Sequence, residues 1–202
     1  MQSNFKNIFL SLFIISTLMA GILGAVNLLT EEDIAQAKKI RKQAAIKQVL
    51  PPFDKLEEAK IAVEVVQGKN TFKKEQLADS LIIYNAYKEE RWIGAAVETF
   101  TDKGFSGRIK LLAGFLPNGD IYKIEVLEHA ETPGLGDKIE TGKSKFPRQF
   151  IGKNPKAFRL IVDKDGGDVD AITAATISSR AYSDAVQTAY TAFMKNGGKI
   201  NE

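Results

Sequence analysis

IKLLAGFLPNGDIYKIEVL, residues 109–127, sets two apolar runs on either side of Pro117-Asn118-Gly119-Asp120. That tetrapeptide is a strong turn signal, so Ile109–Phe115 and Ile121–Leu127 read as the two arms of a β-hairpin. Upstream, Ile93, Ala95, Val97 and Thr99 alternate with less consistent neighbours, as in a half-buried strand. Before them, Leu81–Ala86 is a short apolar run of strand length. Downstream, Phe158–Val162 is a further short strand candidate. After Ser179, the residues Tyr182, Val186, Ala189, Tyr190 and Phe193 mark the apolar stripe of a closing helix, which Asn196-Gly197-Gly198 stops. Strands come first and helices are scattered around them, so the predicted class is α+β. There is no internal repeat and no low-complexity tract.

Moving outward to the N-terminus, Ile8–Leu29 reads IFLSLFIISTLMAGILGAVNLL and carries no charge. About 20 apolar helical residues cross the hydrocarbon core of a bilayer. Lys6 and the amino terminus flank one end, and Glu31, Glu32 and Asp33 the other. The positive end stays cytoplasmic, which predicts a single-pass inner-membrane protein with residues 30–202 on the extracytoplasmic, periplasmic side. The competing reading is a signal peptide cleaved after Ala25; the apolar run is long for a signal core, and Leu23 is a poor residue three places before a cut. Thr30 with Asp33 resembles a helix N-cap box. Ile34, Ala37, Ile40, Ala44 and Val49 then recur at roughly helical spacing. This predicts an amphipathic helix over 31–49 that Pro51-Pro52 ends, with a basic face that is either solvated or in touch with lipid headgroups. The expected organisation is a transmembrane anchor over 1–30, a helical connector over 31–52 and one domain over 53–202.

Composition narrows the chemistry. The net charge of +3 is small, and no basic block concentrates it, so nucleic-acid binding gets little support. There is no cysteine and one histidine, His129. That removes disulfides, thiolate metal sites, iron–sulfur ligation, cysteine nucleophiles and metal sites built on several imidazoles. No residue is assigned a catalytic role and no metal site is expected. Redox chemistry in this chain must come from a bound organic cofactor.

Two segments carry candidate chemistry. Asp170-Ala171-Ile172-Thr173-Ala174-Ala175-Thr176-Ile177-Ser178-Ser179 is a run of small and hydroxyl residues just before the closing helix. Backbone N–H groups and the helix dipole favour an anion there, and small side chains let a phosphate come close. A threonine hydroxyl could bond to that phosphate or be esterified by it. The plainer reading is that Ser178 or Ser179 is only an N-cap and the alanines only tight packing. The second segment, His129-Ala130-Glu131-Thr132-Pro133-Gly134-Leu135-Gly136-Asp137-Lys138, has the glycines and proline of a fixed loop. It offers Leu135 between two glycines to a flat ligand, or simply joins the hairpin to the next element.

Together the two segments resemble the FMN-binding domain shared by the G subunit of the Rnf electron-transport complex and the C subunit of the sodium-pumping NADH:quinone reductase. In that family a flavin transferase attaches flavin mononucleotide (FMN) through its phosphate to the last threonine of a short pattern. The pattern is Asp, two free positions, Ser or Thr, Gly or Ala, Ala and Thr; Asp170, Thr173, Ala174, Ala175 and Thr176 match it in order. The resemblance implies a phosphoester to Thr176, with Asp170, Thr173, Ala174, Ala175, Ser178 and Ser179 around it. The usual glycine is replaced by Ala174, which leaves less room for the phosphate. Glu131-Thr132-Pro133-Gly134-Leu135-Gly136 matches the family's second signature without change, which implies that Glu131, Thr132, Gly134 and Leu135 lie against the flavin ring or ribityl chain. Gly104-Phe105-Ser106-Gly107 through Val126 and the N-terminal span are also similar to the family. Lys164 either faces the FMN phosphate or a flavin carbonyl, or belongs to an ordinary charged turn with Asp163 and Asp165. Lys138 and Lys143 stand open in the same way. His129 either donates to the flavin or caps its own loop.

The resemblance implies an electron carrier rather than a complete enzyme, working with the other subunits of an ion-translocating ferredoxin:NAD+ oxidoreductase and matured by a flavin transferase. The short chain and the continuation Ile177-Ser178-Ser179-Arg180-Ala181 favour the Rnf protein over the quinone-reductase one. A membrane-anchored flavin sensor and an unflavinylated assembly protein are the rivals from other classes. A hydrolase using Ser178 or Ser179 lacks a base, because the single histidine pairs with neither.

Overall fold

The computed structural model describes residues 2–61 and 81–197 of the chain. Two helices, α1 (Gln2–Val49) and α2 (Thr176–Asn196), bracket five strands: β1 (Lys55–Ile61), β2 (Leu81–Lys88), β3 (Arg91–Gly104), β4 (Gly107–Phe115) and β5 (Ile121–Glu128). The chain divides into two compact units, Met1–Lys42 and Gln43–Glu202.

In the first unit, α1 presents its large apolar side chains from Phe5 to Leu29 outward. Among the described residues it is the one helix long and apolar enough to cross a membrane. The helix start expected at Thr30 does not occur. The Thr30 hydroxyl donates back to the Val26 carbonyl, 2.9 Å away, so the threonine sits mid-helix and caps nothing. Where a long apolar helix is already formed, propagation through Thr30 is easier than ending it and nucleating another. The end of α1 at Val49 is where Pro51-Pro52 demands it.

In the second unit the strands form an antiparallel meander in the order β1-β2-β3-β4-β5. Ile83 lies opposite Val97, Val97 opposite Ala113, and Ala113 opposite Ile124, which makes one continuous apolar row on one face. Helix α2 covers that row. Ala181, Ala185 and Ala189 keep it close to the sheet, while Tyr182, Val186 and Phe193 fill the space between. Phe193 stacks on both Phe115 (4.9 Å) and Trp92 (6.0 Å). The opposite face carries Tyr84, Ala86, Ala96 and Leu112 and is covered by Ala45, Ile46, Val49 and Leu50. Gly114 makes that second contact possible: a Cβ there would stand 1.7 Å from the Val49 carbonyl oxygen.

The middle of β3 is therefore buried on both faces from Gly94 to Thr99, not on one. That explains why its apolar alternation is imperfect. The hairpin forms as the turn predicts, closed by Leu116 and Asp120. Phe158–Val162 is not a strand. Arg159 and Asp168 clamp that segment, with the Arg159 amide donating to the carboxylate at 2.7 Å, and the only ladder pairing described there is a single Val162–Val169 bridge. The edge strand β1, Lys-Leu-Glu-Glu-Ala-Lys-Ile, lies outside the sequence-based expectation; its charges suit a sheet edge and hide the pattern.

Candidate functional site

Helix α2 begins at Thr176, ahead of the start expected after Ser179, with Ala175 as its N-cap and no side-chain cap. Neither serine caps it. Ser179 lies in the first turn, accepts the Ile172 amide at 2.9 Å and donates to the Ala175 carbonyl at 3.0 Å, which folds the 172–175 segment back onto the helix. Amides at the first helical positions have no acceptor within a helix. No described side chain accepts those of Thr176, Ile177 and Ser178, so the positive end of α2 is open beside the Thr176 hydroxyl. Thr173 and Ala174 are exposed and Ala175 is buried. Ala174 adopts φ +63°, the left-handed region where glycine is preferred.

A short 3₁₀ turn over Asp163–Asp165 sits against this helix start. Arg180 grips Asp165 through two bonds of 2.6 and 2.7 Å. Asp163 accepts the Ala171 amide at 3.3 Å. The Arg180 guanidinium holds the Asp165 carboxyl below the usual carboxylate range, so this latch stays ionised. Between the two latches, Lys164 extends its Nζ to 3.4 Å from the Thr176 Oγ1. That is long for a hydrogen bond and close for a charge. Asp170 is exposed; its backbone is held on both sides by Gln149, at 2.8 and 3.1 Å.

Glu131 joins the second segment to the first. It is only 4% exposed. One carboxylate oxygen accepts the Ser106 amide at 2.9 Å; the other accepts the Ser178 hydroxyl in a short hydrogen bond. Gly136 packs so tightly there that a Cβ would stand 2.7 Å from both Glu131 Oε2 and Ser178 Oγ. The β3–β4 turn, the 131–136 loop and the first turn of α2 thus meet at one buried carboxylate.

The rest of the loop faces outward. Thr132 closes it by accepting the amides of Leu135 and Asp137 on its carbonyl at 3.2 and 3.3 Å. Gly134 takes φ +77°, and the Leu135 side chain is 42% exposed at the turn. His129 clips the loop from below. Its Nδ1 accepts the Glu131 amide at 3.0 Å, so the proton is on Nε2, which donates to Glu140 at 2.6 Å. Lys143 is committed to Asp137 and Glu140, at 3.2 and 3.1 Å.

Of the residues expected at the site, Lys164 meets Thr176, and Glu131 meets Ser178. Thr132, Gly134 and Leu135 form one exposed turn beside that second contact. Asp170 and Thr173 make no described side-chain bond at the site. Sequence reading missed the supports: Ser106, Gln149, Asp163, Asp165, Arg180 and Glu140. Only the fold brings these together, although an acidic–basic–acidic run followed by an arginine in the helix's first turns was a visible hint. The donor set fits an anionic phosphate: a hydroxyl at an open helix N-terminus, small neighbours and one cation.

Residues 104–191 match the FMN-binding domain family. Three relatives match far more of the chain. One from Shewanella baltica (strain OS223) is 32% identical over 96% of this chain and 92% of its own length. One from Shewanella piezotolerans (strain WP3) is 34% identical over 98% and 93%. One from Escherichia coli (strain K12) is 35% identical over 84% and 81%. Each of the three is named as the G subunit of an ion-translocating oxidoreductase complex. With its FMN-binding domain, its N-terminal apolar helix and this end-to-end similarity, the chain belongs to the G-subunit family of ion-translocating oxidoreductase complexes.

Proposed function

We propose that this chain is the membrane-anchored electron carrier of an Rnf-type ferredoxin:NAD+ oxidoreductase, holding FMN as a phosphoester on Thr176. The observation that carries this reading is the Thr176 hydroxyl at the uncapped start of α2, with the Lys164 ammonium 3.4 Å away. In maturation by a flavin transferase, the Thr176 oxygen bonds to the phosphorus of an activated flavin nucleotide. The bond from phosphorus to its leaving group breaks, and the hydroxyl proton departs with that group. Bound FMN supplies one- and two-electron redox chemistry.

The chain's own residues attach, orient and tune. Lys164 and the open amides of Thr176, Ile177 and Ser178 balance the phosphate charge. The Arg180–Asp165 and Asp163–Ala171 contacts hold Lys164 in place. Glu131 acts as a positioning residue: its carboxylate is occupied by Ser106 and Ser178, and it fixes the loop that presents Thr132, Gly134 and Leu135 to the ribityl chain and ring. The apolar part of α1 spans the membrane, with the amino terminus cytoplasmic and the flavin domain on the periplasmic side. The partners are the other members of the complex.

Thr176→Ala tests the attachment. After denaturation in SDS the parent retains flavin fluorescence in the protein band and the variant has none. A variant that keeps it places the flavin elsewhere. A periplasm-dependent phosphatase fused after Glu202 is active if the orientation is right and silent if it is reversed.

A further inference from the structure

His129 is held by two partners that ask opposite things of its ring. Nδ1 accepts the Glu131 amide at 3.0 Å, and Nε2 lies 2.6 Å from Glu140 Oε1. The neutral ring with its proton on Nε2 satisfies both. An imidazolium does not. A proton on Nδ1 meets the Glu131 N–H as donor against donor, so that bond breaks, while the contact with Glu140 becomes an ion pair and strengthens. The His129 side chain is 10% exposed, which leaves it within reach of a proton from solvent. Glu131 is 4% exposed, and among the described residues its amide has no other acceptor. Losing the Nδ1 bond therefore strands a buried donor.

The charges around the ring come from two sides. Glu140 stands at the end of the short 3₁₀ turn over Gly136–Ile139. Lys143 donates to the same Glu140 oxygen at 3.1 Å and pairs with Asp137 at 3.2 Å. On the strand side, Glu128 lies opposite Lys110 in the β4–β5 register. The Glu131 carboxylate is committed to Ser106 and Ser178. Glu140 thus draws a proton onto the ring, and the Glu131 amide resists it. We propose that His129 is a proton-operated clip: a proton arriving on Nδ1 releases the Glu131 amide and loosens the 131–136 loop, together with the start of α2 that Glu131 holds through Ser178. Imidazole is the side chain suited to this, because it changes charge between about pH 5 and pH 8. The clip works on this chain's own bonds, with or without FMN on Thr176.

The test is amide hydrogen exchange of the full-length protein in detergent, corrected for the intrinsic pH dependence of exchange and referred to β2 and β3. Protection of the Glu131 amide is expected to fall about fivefold between about pH 7.5 and pH 5.5, the factor that one ordinary hydrogen bond is worth. The lower pH stays above the ordinary 4.5 of Glu140, whose carboxyl is held lower still, so Glu140 keeps its charge throughout. His129→Asn keeps a side-chain oxygen for the amide two residues on, as in an Asx turn, and cannot take a proton; its protection is expected to be the same at both pH values. His129 is the only histidine, so nitrogen-15 labelling of imidazole gives one ring, and its Nδ1 is observed in the parent protein even if the variant does not fold. Nδ1 is expected to be bare at the higher pH and protonated at the lower, with the Glu131 amide resonance moving on the same titration. Equal loss of protection in parent and His129→Asn, a ring still neutral at the lower pH, or a ring that takes its proton while the Glu131 amide stays unchanged overturns the clip. None of these outcomes bears on flavin attachment, and a chain without FMN on Thr176 leaves the clip standing.

Discussion

Replacing Glu131 with alanine removes the acceptor for two groups at once, the Ser106 amide and the Ser178 hydroxyl. Both would be left without a partner beside a side chain that is 4% exposed. A buried polar group stripped of its partner costs roughly 1–3 kcal/mol, so the two together, with the small void left behind, should destabilise the domain by about 3–5 kcal/mol. Glu131→Gln keeps one acceptor for the amide and offers a donor to Ser178, and loses only the charge assistance, about 1–2 kcal/mol. The assay is urea unfolding followed by the fluorescence of the single tryptophan, Trp92, which is stacked on Phe193 and bonded to Asn85 inside the domain. With a slope near 2 kcal/mol per molar, the alanine variant should lose about 1.5–2.5 M in midpoint and the glutamine variant less than about 1 M. The same order should hold for flavin loading, because the loop and the helix start part company together. An alanine variant with the parent's midpoint, or a glutamine variant as damaged as the alanine one, would refute the positioning role.

Other outcomes follow from the same geometry. Lys164→Met should leave the unfolding midpoint unchanged and reduce flavin incorporation in a timed transferase reaction; unchanged incorporation would remove Lys164 from the site. Ala174→Gly relieves a left-handed alanine and should stabilise by about 0.5–1 kcal/mol, net of the glycine's greater unfolded entropy, or roughly 1–4 °C in melting temperature, with flavin loading retained. Arg180→Gln should barely move the midpoint but slow flavin attachment, because it frees the 163–165 turn. Burial alone would raise the Glu140 pKa, but hydrogen bonds from His129 and Lys143 outweigh it and hold the carboxyl below its ordinary value of 4.5. A depressed folded-state value means stability that is present above pH 4.5 and lost as pH falls through the folded value. Glu140→Gln should therefore flatten acid unfolding in that window, read by Trp92 emission against pH.

What the sequence revealed and what it hid follow from the range of the interactions. The β4–β5 hairpin, the apolar stripe of α2 and the membrane-length helix are local patterns, and each is found where its residues place it. The 170–179 segment and the 129–138 loop are contiguous runs, so both stand out in the sequence as candidates. The break at Thr30 and the strand at Phe158–Val162 failed because local signals lost to context: helix propagation in one case and the Arg159–Asp168 clamp in the other. Edge strand β1 was hidden because a charged edge needs no alternation. The central device, Glu131 linking residues from 104 to 178, is invisible in a linear reading; each partner is an ordinary serine or glycine until the meander brings them together.

The attachment of FMN to Thr176 is the claim on which the functional account stands. Intact mass spectrometry of the protein purified from its native membrane and fully denatured, followed by peptide mapping, tests it most directly. The account predicts an added mass of one FMN less one water, confined to the peptide containing Thr176. An unmodified chain, or the added mass on another residue, would contradict it.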